Sequence, residues 1–102
     1  MTDPMTVNIP HQLGADEARR RIASGFARSV GSVPGGAMIK LNERWDGNRM
    51  IFEARALGQT VSGFVDVAES VVTLTVTLPP LLASFADKLR GRVRDAGQLL
   101  LK

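Results

Sequence analysis

Residues 71–80 read VVTLTVTLPP. Val72, Leu74, Val76 and Leu78 alternate with Val71, Thr73, Thr75 and Thr77. A period of two puts the first set on one side of an extended strand and the second on the other. The β-branched content suits a pleated, half-buried surface. Pro79 and Pro80 cannot donate ladder hydrogen bonds, so the strand ends there. A sheet built on this strand has one apolar face and one face of threonines and charges.

Upstream the same pattern repeats. AES turns into this strand from TVSGFVDV, residues 60–67, and GQ turns into that one from RMIFEARAL, residues 49–57. DGN, residues 46–48, is a hairpin signal that joins AMIKLNERW to the run. Such short connections make an antiparallel meander. The order breaks at GSVPGG, residues 31–36, which reads as a loop. Before it, GADEARRRIASGFARSV has Ala15, Ala18, Ile22, Phe26 and Val30 at helical spacing. Asp16 and Glu17 suit the positive start of that helix and Arg28 its negative end. Gly25 weakens it by about 1 kcal/mol relative to alanine. TVNI is a short first strand closed by Pro10.

Downstream of the prolines a second helix runs from Leu81 to the C-terminus. Leu82, Phe85, Leu89, Val93, Ala96 and Leu100 make its apolar stripe, with Asp87, Arg90, Arg94 and Gln98 on the opposite side. On this phase Leu99 and Leu100 lie near the buried face and Leu101 points well away from it. The expected fold is α+β, in the order β-α-β-β-β-β-α. Both helices bury their stripes on one face of an antiparallel sheet, giving a two-layer sandwich. If the first strand pairs with the last, the sheet order is 1-5-4-3-2. A sheet gripping a long C-terminal helix is loosely helix-grip-like. Residues 1–6 read as a flexible tail and residues 7–102 as a single domain.

The chain has 102 residues, which fits one core. It has no cysteine, which excludes disulfides and thiolate metal sites. No apolar run approaches the ~20 residues needed to span a bilayer. The N-terminus lacks a secretory signal, so a cytoplasmic location is expected. Net charge is +3, and the excess sits on the two helical segments. Residues 15–30 carry four basic and two acidic side chains, residues 81–102 carry five and two, and the remainder is net acidic.

Few residues suggest chemistry. His11 is the one histidine, placed between Pro10 and the first helix, with no partnered constellation in sequence. Its expected role is local packing or capping. The carboxylates are scattered: Asp46 belongs to a turn, and Glu53 and Asp66 are placed to pair with Arg55 or a cross-strand base. No metal ligand set or cofactor motif is visible. Arg19, Arg20 and Arg21 point to different sides of a helix and form no single patch. Arg19 and Arg92 lie at the margins of their apolar stripes. The ordinary reading is stems laid over the core edge. The sharper one has Arg19 and Arg92, with His11, contacting a carboxylate or phosphate of a ligand. Specific nucleic-acid binding lacks its usual aromatic or groove-reading motif.

Three stretches, IPHQLGADEARRRI, WDGNRMIFEARALGQTVSGFVDVAESVVTLTVTLP and LLASFADKLRGRVRDAGQLLL, resemble the polyhydroxyalkanoic acid system protein family. The resemblance spans about residues 7–101, and its most specific parts are PHQLGADEARRR and the WDG hairpin. It implies a cytoplasmic accessory protein linked to storage-polyester granules or granule proteins, and it supplies no catalytic residues. On that basis Arg90, Arg94, Leu99 and Leu101 are the expected granule or partner surface. The alternative is a small hydrophobic or anionic ligand held between the sheet and the C-terminal helix. An enzyme of polyester metabolism would need a nucleophile–base constellation, which is not visible. The sheet edges and uncovered face leave room for a homodimer.

Overall fold

The structure is a computed structural model that describes residues 4–31, 38–56 and 58–102. The meander expected from the alternating runs is present. Its strands are β1 (Met5–Pro10), β2 (Lys40–Asp46), β3 (Arg49–Ala56), β4 (Gln59–Val67) and β5 (Val71–Thr77). All neighbours are antiparallel and the order is β1-β5-β4-β3-β2. β1 pairs Val7 with Leu74 and Ile9 with Val72, so the first strand lies beside the last as the topology requires. It starts at Met5 rather than beyond residue 6, and Met5 is buried. Most of the expected loop at residues 31–36 lies outside the described residues.

Register explains which face is covered. Met5, Val7 and Ile9 align with Val76, Leu74 and Val72, which align in turn with Gly63, Val65 and Val67. Met50 and Phe52 continue the same face. These apolar residues are buried beneath the helices, each stabilising the fold by roughly 1.5–3 kcal/mol when fully buried. The DG turn works because Gly47 takes φ 61°, a left-handed conformation that a side chain would resist.

Helix α1 (Ala15–Gly31) lays Ala18 and Ile22 into this core. Phe26 tilts against Phe52 with ring centroids 5.0 Å apart. Helix α2 (Ala86–Leu100) packs along β1 on the same face. Gly25 and Gly97 set the approach of these helices. A Cβ on Gly25 would run into the Leu100 side chain, and one on Gly97 into Ile9. Gly25 is therefore a contact point between helices, which offsets its poor helix propensity.

The second helix begins differently from the expectation. Residues Pro80–Phe85 form a 3-10 helix, and the α-helix starts only at Ala86. The tighter turn advances each residue by about 120° instead of 100°. Phe85 therefore does not share the phase of the α-helix, and it is 51% exposed. The side chain of Leu82 lies outside the described residues. With Phe85 removed, the half-buried residues are Ala86, Leu89, Arg90, Val93, Ala96, Gly97 and Leu100. Arg90, expected on the far side, is thus at the sheet-facing margin.

Leu101 is the other correction. It was expected to point away from the core, yet it is only 5% exposed and belongs to the core. Leu101 sits one residue past the helix, at φ −103° and ψ 15°, with its N–H donating to the Gly97 carbonyl. The re-phased stripe and this departure from helical geometry turn Leu101 inward and Leu99 outward. Leu99 is 69% exposed.

Candidate functional site

His11 follows β1 and is 7% exposed. Its Nε2 lies 3.1 Å from the Ala68 carbonyl, and the Leu13 N–H donates to its Nδ1 at 3.2 Å. These partners assign the neutral ring with the proton on Nε2. The His11 N–H also donates to the Ser70 carbonyl at 2.9 Å. Glu69, in the same β4–β5 turn, accepts from the Ala15 N–H at the start of α1. The segment from His11 to Ala15 is thus a junction. It ties the end of β1 and the start of α1 to one distant turn. Both ring nitrogens of His11 are occupied by backbone, which favours the local role over chemistry.

The three consecutive arginines go three ways. Arg19 donates from Nε to the Gly47 carbonyl at 3.2 Å and its guanidinium lies 4.5 Å above the Trp45 ring. Arg20 pairs with Glu17 on the surface at 2.6 Å. Arg21 pairs with the same carboxylate at 2.9 Å and also donates to the Lys102 carbonyl. Hydrogen bonds from Arg20 and then Arg21 hold the Glu17 carboxyl below its ordinary range. Arg21 thereby clasps the end of the chain against α1.

Arg19 and Arg92 do not converge. Arg19 is turned to the β2–β3 hairpin, whereas Arg92 is exposed on α2, which lies along β1 at the other edge of the sheet. Arg94 is exposed as expected. Arg90 is half-buried, with Nη1 3.6 Å from the Asp87 carboxylate. Its Nε is buried without a hydrogen-bond partner among the described residues.

The sheet face away from the helices carries Arg44, Arg49, Glu53, Arg55 and Asp66 around Ile51 and Phe64. Arg49 lies 4.3 Å above the Phe64 ring and bonds Asp66 at 2.6 Å. The hydrogen bonds it donates to the Asp66 carboxylate hold the Arg49 guanidinium more firmly protonated than usual. Glu53 pairs with Arg55 at 2.9 Å. Asn8 accepts from Thr73 at 2.8 Å. Asp66 therefore pairs across strands with Arg49, whereas Glu53 pairs with Arg55 along its own strand. This face is largely satisfied within itself.

The exposed flank of α2 next to α1 is different. Phe85, Lys88, Arg92 and Leu99 are exposed along it. Beside Leu99 a shallow groove of about 250 Å³ is lined by Gly25, Arg28, Ser29, Ala96 and Leu100. Sequence reasoning missed Phe85, because it was counted into the buried stripe. The 3-10 turn over Pro80–Phe85 takes Phe85 off the stripe. The stripe then fits better from Ala86 onward.

Among the described residues no helix is long and apolar enough to cross a membrane. Comparison with curated proteins and with solved structures finds no match to this chain. A family profile does match, over residues 5–100, covering both helices and all five strands. The chain belongs to the polyhydroxyalkanoic acid system protein family.

Proposed function

We propose that this protein is a non-enzymatic accessory of the storage-polyester system, associating with polyhydroxyalkanoate granules or their proteins at the surface of cytoplasmic inclusions. Family membership supplies the setting. The observation that carries the reading is the outward side of α2, where Phe85 and Leu99 are 51% and 69% exposed. Large apolar side chains left in water on one side of a helix mark a contact surface. His11 acts as a structural tie in this reading, and Arg19 as a clamp on the hairpin.

The surface differs in membership from the one expected. Leu101 is replaced by Phe85, and Arg90 by Arg92, because the helix is phased from Ala86. Leu99 remains. The competing reading, a ligand between sheet and α2, is disfavoured where Ile9 meets Gly97 with no room for an added Cβ.

Co-sedimentation of the purified chain with washed native granules, at low and high salt beside a DNA control, tests this. Granule binding that survives high salt, without DNA binding, is expected. Absence of granule binding would overturn the proposal. Loss with salt in step with DNA would also overturn it, since that marks a generic cation.

A further inference from the structure

We infer that α2 contacts the polyester itself, through the line formed by Phe85, Arg92 and Leu99. This rests on the granule reading above and specifies which component of the granule is touched, and by which face. A polyester of hydroxy acids is a run of alkyl groups and esters. Its oxygens accept hydrogen bonds and its repeating units donate none. A matching surface offers apolar area and side chains that only donate. Phe85, at the entrance to α2, and Leu99, near its end, supply the first, about 21 Å apart along the helix axis. Arg92 lies between them and Lys88 beside it, and both side chains donate without accepting. Asp95, an acceptor one heptad after Lys88, flanks the line as closely as Lys88 does, so the donor that stands on the line itself is Arg92.

The uncovered sheet face lacks this match. Its Asp66 and Glu53 would meet ester oxygens as acceptor against acceptor, and Arg49 is already spent on Asp66 and Phe64. The groove beside Leu99 extends the apolar line toward α1. The support is also firm. Leu101 is buried and Arg21 donates to the Lys102 carbonyl, so the chain just after Leu99 is held. Little ordering is then needed on contact.

The test uses the full chain with two sedimentable probes: protein-free amorphous poly(3-hydroxybutyrate) particles and native granules. Wild type is expected to bind both. The double variant Phe85→Ser/Leu99→Ser should bind both at least about tenfold more weakly, since two largely exposed apolar side chains are removed. Arg92→Glu should weaken binding severalfold, and Ile51→Ser on the sheet face should bind as wild type. Circular dichroism of each variant confirms that the fold is retained. Wild type binding granules but not bare particles would overturn the inference and leave the granule reading standing, with a granule protein as the partner. Undiminished binding by the double variant, or loss with Ile51→Ser, would also overturn it. Binding to neither probe would overturn both.

Discussion

The two helices have similar amphipathic patterns and opposite fates. Helix α1 buries Ala18, Ile22 and Gly25, and Arg19, Arg20 and Arg21 all have partners within the fold. Helix α2 has no fully buried residue along its length, and Phe85 at its entrance and Leu99 near its end stand in water. Both lie on the same sheet face. What separates them is position. α1 reaches residues of the middle strands, such as Phe52, whereas α2 runs along the edge strand β1. An edge covers only one side of a helix, so α2 is held by its ends and its inner margin. One helix builds the core, and the other is mounted on it.

The strongest challenge to that contrast is a matched pair of truncations. Ile22→Ala should cost about 2–5 kcal/mol, as a cavity opens under α1. Leu99→Ala should change stability by no more than about 0.5 kcal/mol, as an exposed substitution does. Urea denaturation of both reads the difference. A large loss at Leu99 would mean that α2 is as much part of the core as α1.

The junction that launches α1 comes next. His11→Ala removes the donor to Ala68 and the acceptor for Leu13. The cost should be about 1–3 kcal/mol, because a buried side chain and its two part-buried hydrogen bonds are lost. Amide exchange should quicken at Leu13. Unchanged stability would remove the structural assignment of His11.

Within α2 two glycines sharpen the comparison, because they should respond with opposite sign. Gly97→Ala drives a methyl group into Ile9 and should destabilise by about 1–3 kcal/mol. Gly91 faces open space within 4 Å, so Gly91→Ala should stabilise by about 0.5–1 kcal/mol through helix propensity alone. Thermal melts of the two variants should fall on either side of wild type. If both destabilise, α2 has a second packed face.

The smallest effect is on the surface of α1. The folded Glu17 carboxyl titrates below its unfolded value because Arg20 and Arg21 hydrogen-bond it. Its contribution is therefore present above the ordinary carboxylate range and is lost as pH falls through the folded value. The melting difference between wild type and Glu17→Gln should be small near neutrality and vanish in acid. A difference that grows in acid would contradict the ion pairs.

Much of this fold was legible before any coordinates. Alternation in VVTLTVTL, the DGN turn and the proline pair mark the antiparallel meander and its covered face, whereas the place of the first strand beside the last was one option that the structure decides. Local pattern was enough because each of those features acts over a few residues. The candidate site was legible only in part. Leu99 and Arg94 are on the surface, but Leu101 is buried and Arg90 is half-buried. Leu101 was misread because it sits one residue past α2, outside helical geometry, and Phe85 because it ends a 3-10 turn. The partners of His11 and Glu69 were not readable, because they lie 57 and 54 residues away along the chain. Nor was the purpose of Gly25 and Gly97, since a close approach between elements leaves no trace in the spacing of either.

The central claim is that α2 presents a polyester-contacting line while α1 and the sheet hold it in place. Hydroxyl-radical footprinting of the chain on native granules tests it most directly, residue by residue. The account predicts that Phe85 and Leu99 become protected on binding, while Ile51 and Phe64 are oxidised as in free protein. Protection at Ile51 and Phe64, with Phe85 and Leu99 unchanged, would place the contact on the sheet and contradict the account.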